Sequence, residues 1–177
     1  RDGTPYLTDF GLAKLIEDTS DLTRTSSVLG TPAYMAPEQA AGRTEDVTVA
    51  ADVDSLGAVL YELLTGHTPI EQDTLARVGL DEIRRLIREV DPPRPSMRMK
   101  TLADAEMTTA GQRRNTEPTK LAGTLRGDID WIVMKCLEKD RTRRYRSAAQ
   151  ILDELKAALR TLHASPGHPA LAEEFLR

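Results

Sequence analysis

Residues 30–38 of the chain read GTPAYMAPE, and residues 52–57 read DVDSLG. From the second stretch onward, apolar residues recur at helical spacing, at Val53, Leu56, Leu60, Leu63 and Leu64. Further apolar residues fill much of the remaining circumference, so we expect a helix that is apolar nearly all round and therefore buried. Gly66 is placed to end this helix.

A third short motif, Asp9-Phe10-Gly11, lies upstream of these two stretches. Residues 1–12, with an Asp-Gly turn near their start, predict a small β-hairpin. Residues 17–31 are rich in Ser, Thr and Asp and lack apolar periodicity, which indicates a loop open to regulation. Thr23 and Thr25 in this loop are our candidates for phosphorylation, with Thr and Ser neighbours as rivals.

Three more helices are predicted downstream from the spacing of their apolar residues. The first carries Ile83, Leu86, Ile87 and Val90 on one face and stops before the two prolines at 92 and 93. The second runs to about residue 139 with Ile129, Ile132, Val133, Cys136 and Leu137 on its apolar face. The third opens with a capping-box pattern at residues 147–150 and ends near residue 163.

Residues 91–127 contain four prolines, many basic residues and little periodicity. They predict an irregular, solvated insert with one helical turn near residues 102–107. A docking role for this insert is the less favoured alternative. The tail, residues 163–177, is expected to fray or to link onward to another domain.

Composition excludes several classes of protein. The net charge is -4, which does not indicate nucleic-acid binding. The single cysteine, Cys136, rules out an internal disulfide, and its place on an apolar helix face indicates packing rather than reactivity. No apolar run is long enough to cross a bilayer. These features favour a cytoplasmic location, with no membrane segment and no nucleic-acid partner.

The three motifs occur in the order D-F-G, A-P-E and D-x-x-x-x-G, and residues 140–144 add a D-x-x-x-R pattern. Together they resemble the serine/threonine protein kinases of the bacterial, eukaryotic-like type. The resemblance implies a mainly α fold, the C-terminal lobe of the kinase domain, with the short hairpin at its N-terminal end. It covers residues 1–162.

The resemblance also implies roles for single residues. Asp9 matches the ligand of Mg²⁺, Phe10 an apolar anchor and Gly11 the sharp turn after it, so the three form part of the site for ATP and Mg²⁺. Thr31 matches the residue that contacts the substrate and the catalytic base. A simple turn bond is the alternative for Thr31. Asp52 matches a support for the catalytic loop.

Three further interpretations depend on this alignment of the sequence with the kinase motifs. Capping of its own helix is the ordinary role for Asp52, and it is compatible with the support role. Asp54 departs from the family, in which an aromatic residue is usual, and this favours a decayed enzyme slightly. Glu38 and Arg144 match an ion pair that fastens the activation segment, with Arg143 as the adjacent rival.

The 177 residues contain no Gly-rich loop, strand lysine or H-R-D-x-x-x-x-N motif. Arg1-Asp2 is not the end of that motif, because the position five after Asp2 is Leu7. We therefore expect part of a kinase that phosphorylates protein Ser and Thr, inactive by itself, whose partners are its N-terminal lobe and a protein substrate. A non-catalytic interaction module is the alternative.

Overall fold

The computed structural model describes residues 32–42, 45, 47–101 and 123–164. Within these ranges the chain is mainly helical and contains no strand, which confirms the mainly α class. The hairpin predicted for residues 1–12 lies outside the described residues. The α-helices are α1 (Pro37–Ala40), α2 (Val49–Thr65), α3 (Gln72–Arg77), α4 (Leu80–Glu89), α5 (Pro95–Thr101), α6 (Asp128–Cys136) and α7 (Ala148–Ala164). Two 3-10 helices add Pro32–Tyr34 and Arg141–Arg143.

Helix α2 begins and ends where local chemistry dictates. The Thr48 hydroxyl accepts a hydrogen bond from the N–H of Ala50 at 3.3 Å and caps the N-terminus. Gly66 ends the helix in the left-handed conformation with φ of 80°, as predicted. The expectation that α2 is buried all round is wrong, because Val59 and Leu63 are 40% and 61% exposed. They lie on the side of α2 that faces away from its neighbours α5 and α6.

The main core forms where α2, α5, α6 and α7 meet. Its buried members are Val53, Met99, Leu125, Ile129, Ile132, Cys136, Tyr145, Ile151 and Ala158. Helices α2 and α6 approach closely because Gly57 has no side chain, and a Cβ placed there would lie 2.5 Å from the Cβ of Cys136. The position of Gly57 therefore sets how near the two helices lie.

Helix α5 corrects the expectation of an irregular, solvated insert at residues 91–127, because Pro95–Thr101 are helical and partly buried. The backbone N–H and hydroxyl of Ser96 donate to the Asp130 carboxylate at 2.9 and 2.5 Å, which ties α5 to α6. Met99 is fully buried in the core. The periodic signal is weak because the buried residues of α5 are Pro95, Ser96 and Met99, a set that contains only two apolar side chains. The helical turn expected at residues 102–107 lies outside the described residues.

The other predicted helices form as expected. Ile83 and Ile87 are the buried residues of α4, which ends before Pro92. The Ser147 hydroxyl accepts from the N–H of Gln150 at 3.3 Å and begins α7. No helix among the described residues is both long and apolar enough to span a membrane.

Candidate functional site

Residues 32–40, which we call the docked segment, lie against α2. The Ser55 hydroxyl donates to the backbone carbonyl of Tyr34 at 2.9 Å. The Tyr34 hydroxyl donates to the Glu62 carboxylate, and this hydrogen bond, with burial and the negative charge, raises the pKa of Tyr34 to about 12. Two side chains of α2, about two helical turns apart, thus hold Tyr34 at its backbone carbonyl and at its ring hydroxyl.

Helix α1 continues the docked segment and turns one carboxylate inward. The Gln39 side chain accepts from the N–H of Ala36 at 2.9 Å, and Pro37 occupies the first turn, where its missing N–H costs nothing. Glu38 is buried, with a side chain 7% exposed. A buried carboxylate needs a paired cation with good hydrogen bonds.

Arg144 is that cation. Its guanidinium forms a bidentate contact with Glu38, with Nη1 to Oε1 at 2.8 Å and Nη2 to Oε2 at 2.9 Å. The remaining donors reach backbone carbonyls, of Glu138 from Nε at 2.7 Å, of Ala50 from Nη1 at 2.9 Å and of Lys139 from Nη2 at 3.4 Å. All five N–H groups of Arg144 are therefore used, and one side chain joins α1, α2 and the chain after α6.

The rival Arg143 has a different environment. Its side chain is 67% exposed and its Nη2 lies 3.3 Å from a Glu138 carboxylate oxygen. Asp140 caps the intervening 3-10 helix by accepting from the N–H of Thr142 at 2.9 Å. This cap turns the chain so that Arg144 faces inward while Arg143 faces outward.

Asp54 is a second buried carboxylate beside Arg144, and sequence reasoning did not place it there. Its Oδ1 lies 3.5 Å from Nη2 of Arg144. Burial raises the pKa of Asp54 to about 7, although the positive charges of Arg144 and Lys139 lower it, and Glu38 raises it further. The available signal was a carboxylate on the apolar face of α2, between the buried residues Val53 and Ala58.

Lys139, which is half-buried, completes this group, and we call Glu38, Asp54, Lys139 and Arg144 the buried charge cluster. The Lys139 ammonium donates to the carbonyl of Ile87 at 2.8 Å, which attaches the cluster to α4. Burial lowers the pKa of Lys139, while Asp54 opposes that shift. Asp54 and Lys139 line one cavity of about 30 Å³, together with Pro32, Ala33, Met35, Pro37, Ala58, Pro69, Ile70, Ile87, Pro92 and Leu137.

The structure brings together only some of the predicted site residues. Asp52 is exposed in the first turn of α2, where its negative charge can complement the helix dipole. The expectation that it caps the helix is wrong, because Thr48 does so. The other predicted positions lie outside the described residues, namely Asp9, Phe10, Gly11, Thr23, Thr25 and Thr31. Cys136 is buried with its pKa raised to about 12 by burial first and by Asp54 second, as expected of a packing residue.

The described part of the chain contains no group of three or more His, Cys, Asp or Glu side chains that fits a metal ion. His67 instead places Nδ1 3.7 Å from a carboxylate oxygen of Glu71.

Comparisons with known proteins agree on one relationship. A family model for the protein kinase domain matches residues 1–156. The serine/threonine-protein kinase PknB of Mycobacterium leprae is 34% identical over 168 residues, which are 95% of this chain and 21% of that protein. PknB of Mycolicibacterium smegmatis is 35% identical over 148 residues, covering 83% of this chain and 19% of that protein. A probable serine/threonine-protein kinase of Streptomyces coelicolor is 32% identical over 160 residues, covering 90% and 19%. The chain spans about a fifth of the length of these relatives.

Proposed function

The chain belongs to the protein kinase family, among the serine/threonine kinases of bacterial type, and from this we propose that it forms the helical lobe of an enzyme that transfers the γ-phosphoryl group of ATP to protein Ser and Thr hydroxyls. The observation that carries the proposal is the bidentate contact between Glu38 and Arg144. It joins the GTPAYMAPE stretch to the D-x-x-x-R pattern, 106 residues away. Nothing in the local sequence around either residue gives another reason to connect them.

The docked segment suits a surface that receives a substrate peptide. Ser55 and Glu62 of α2 hold Tyr34 by hydrogen bonds. The backbone that follows Thr31 in sequence is therefore fixed in position against α2. Phosphoryl transfer depends mainly on positioning and on charge neutralisation, and a fixed segment serves the first of these needs. We assign Thr31 the contact with the substrate hydroxyl and the catalytic base.

Nucleotide and metal are assigned to residues outside the described ranges. Asp9 would hold Mg²⁺, which when bound neutralises charge on the phosphates, while Phe10 packs and Gly11 allows the chain to turn. The base and the ATP-cradling N-terminal lobe are not among these 177 residues, so we expect activity only in a protein that contains them. The assignment of Asp9, Phe10 and Gly11 rests on their match to the family motif.

Asp52 fits a supporting role. It is exposed on the same side of α2 as Val59 and Leu63, and the described chain leaves that side open. A carboxylate in this position can accept backbone N–H groups from a catalytic loop packed there. We therefore propose that Asp52 fixes the catalytic loop and takes no part in the chemistry.

Regulation and location complete the proposal. Phosphorylation at Thr23 or Thr25 would add negative charge upstream of the docked segment and order the loop against basic groups. A cytoplasmic site of action fits the single buried, unreactive cysteine and the supply of ATP.

A non-catalytic interaction module is the second candidate. The observation that favours it is Asp54, a buried carboxylate where the family usually has an aromatic residue. Such a substitution alters the packing beneath the docked segment without touching the proposed metal ligand. Phosphoryl transfer by the complete protein separates the two candidates.

The test uses the complete protein that contains this chain, with radiolabelled ATP and a generic protein substrate. We expect Asp9→Asn to lower kcat/KM most strongly at limiting Mg²⁺, because an amide cannot neutralise the metal's charge. Asp21→Asn, in the neighbouring loop, is the matched control and should leave kcat/KM unchanged. An unchanged kcat/KM for Asp9→Asn removes Asp9 from the mechanism, and no transfer by the wild type supports the interaction module.

A further inference from the structure

Among the described residues, the Asp54 carboxyl has a charged neighbour but no hydrogen-bond donor. Arg144 lies 3.5 Å from its Oδ1, yet all five N–H groups of that guanidinium already donate to Glu38 and to three backbone carbonyls. No hydrogen bond to the Asp54 carboxyl occurs among the described residues. An ionised Asp54 is therefore stabilised by charge alone, which compensates poorly for the loss of water in a buried place.

The docked segment itself limits the access of water to this carboxyl. The Asp54 side chain is only 7% exposed, and Pro32, Ala33, Met35 and Pro37 of the docked segment line the same cavity. If the segment lifts from the helical base, this wall of the cavity is lost and bulk water reaches the carboxyl. Docking and full hydration of Asp54 therefore oppose each other.

We propose that Asp54 acts as a proton-operated control on the docked segment: the neutral carboxyl permits firm docking of residues 32–40, and ionisation of the carboxyl loosens them from the helical base. A segment that is more stable on the neutral form than on the ionised form must bind less tightly when the proton leaves.

Charged groups approach Asp54 from each element packed against it. Glu38 comes from α1 and its negative charge repels the carboxylate, whereas Arg144 and Lys139 come from the chain after α6 and attract it. Cys136 on α6 stays neutral because burial raises its pKa to about 12. The desolvation of Asp54 outweighs the two cations, and the resulting pKa of about 7 lies well above the ordinary 3.8.

The direction and size of the effect follow from these two values. The pKa of Asp54 is raised while the segment is docked. The neutral carboxyl therefore stabilises the docked state fully below pH 3.8, and this stabilisation is progressively lost as the pH rises to about 7. The equilibrium constant for lifting the segment then grows up to tenfold per pH unit within that window. Between about pH 5.5 and pH 8 the growth is roughly 30-fold if lifting restores an ordinary carboxyl.

A consequence for catalysis rests on the proposed function. If the docked segment receives the substrate, a rise in pH through neutrality weakens that surface, and a fall strengthens it. The docking itself does not depend on phosphoryl transfer. A physical measurement of docking therefore tests the inference separately from the proposed function.

The measurement is amide hydrogen exchange in the intact protein at about pH 5.5 and pH 8, expressed as protection factors. The N–H groups of Ala40 and Ala41 report on the segment, since they donate within α1 at 3.0 Å to the carbonyls of Ala36 and Pro37. We expect their protection to fall roughly 30-fold in the wild type. In Asp54→Asn, which keeps Glu38, Lys139 and Arg144, protection should stay high and constant.

Asp153→Asn is the matched control, because Asp153 is an exposed aspartate within the long helix α7. It should reproduce the wild-type dependence on pH. A carboxyl ¹³C NMR titration of the wild type supplies a second measurement that needs no variant, and its midpoint for Asp54 should lie near 7. A midpoint near 4, or a fall in protection that is equally large in Asp54→Asn, overturns the proposal.

Discussion

Replacing Arg144 tests how firmly the buried charge cluster holds the docked segment. The Arg144 side chain is 0% exposed and that of Glu38 7%, so Arg144→Ala leaves a buried carboxylate without its cation. Breaking a buried pair in this way costs about 3–5 kcal/mol of unfolding free energy. Arg143, 67% exposed beside Glu138, is a matched control, and Arg143→Ala should cost at most about 1 kcal/mol.

The structure also predicts that replacing Glu38 and replacing Arg144 lower the unfolding free energy by different amounts. Glu38→Gln removes one carboxylate, but Arg144 keeps its bonds to three backbone carbonyls, and the amide oxygen of Gln can still accept from its guanidinium. We therefore expect Glu38→Gln to cost about 1–3 kcal/mol, less than Arg144→Ala, because the N–H groups of Arg144 keep acceptors.

A double-mutant cycle measured by urea unfolding, with helical circular dichroism as the signal, gives the coupling directly. Glu38 and Arg144 should couple by about 1–3 kcal/mol, and Glu38 and Arg143 by less than about 0.5 kcal/mol. Equal and additive losses for the two arginines would refute the assignment of Arg144 as the partner. A larger loss for Glu38→Gln than for Arg144→Ala would refute the argument from the remaining bonds.

Three further outcomes are expected of the helical base. Gly57→Ala should cost about 2 kcal/mol in urea unfolding, because the new Cβ meets Cys136 at 2.5 Å and the clash exceeds the gain in helix propensity. Gly79→Ala, with nothing within 4 Å, should cost less than about 1 kcal/mol, and equal losses would exclude the clash as the cause. Asp130→Ala should cost about 2–3 kcal/mol of unfolding free energy, since it leaves the buried N–H and hydroxyl of Ser96 unpaired. A change in the slope of the urea transition without a loss of unfolding free energy would contradict this. At pH 8 the thiol of Cys136, with its pKa near 12, should react with a thiol reagent only as fast as the protein unfolds, so rapid labelling of the native protein would show that it is accessible.

Much of the helical framework could be predicted from local patterns. Apolar spacing and end signals located α2, α4, α6 and α7, because each buries a stripe of large apolar side chains. Helix α5 could not be found in this way. It is attached by Met99 and by the polar link from Ser96 to Asp130, and a polar contact between distant residues leaves no periodic trace.

The buried charge cluster shows where reasoning from sequence stops. Family resemblance suggested Glu38 and Arg144 as a pair, but the position of Asp54 was understood only as a departure from a motif. Its distance to Arg144, and the wall that the docked segment builds over it, depend on how three distant parts of the chain meet. Likewise, the spacing on α2 could not reveal that Val59 and Leu63 face away from its neighbours.

The placement of Met99 and Leu125 has a consequence for how the chain can vary. Both side chains are buried in the same core cluster, so the chain is attached to the helical base on each side of residues 102–122. A change in the number of residues between Met99 and Leu125 leaves both buried side chains in place. We therefore expect variation in length between these two residues to cost less stability than a large-to-small substitution at either of them.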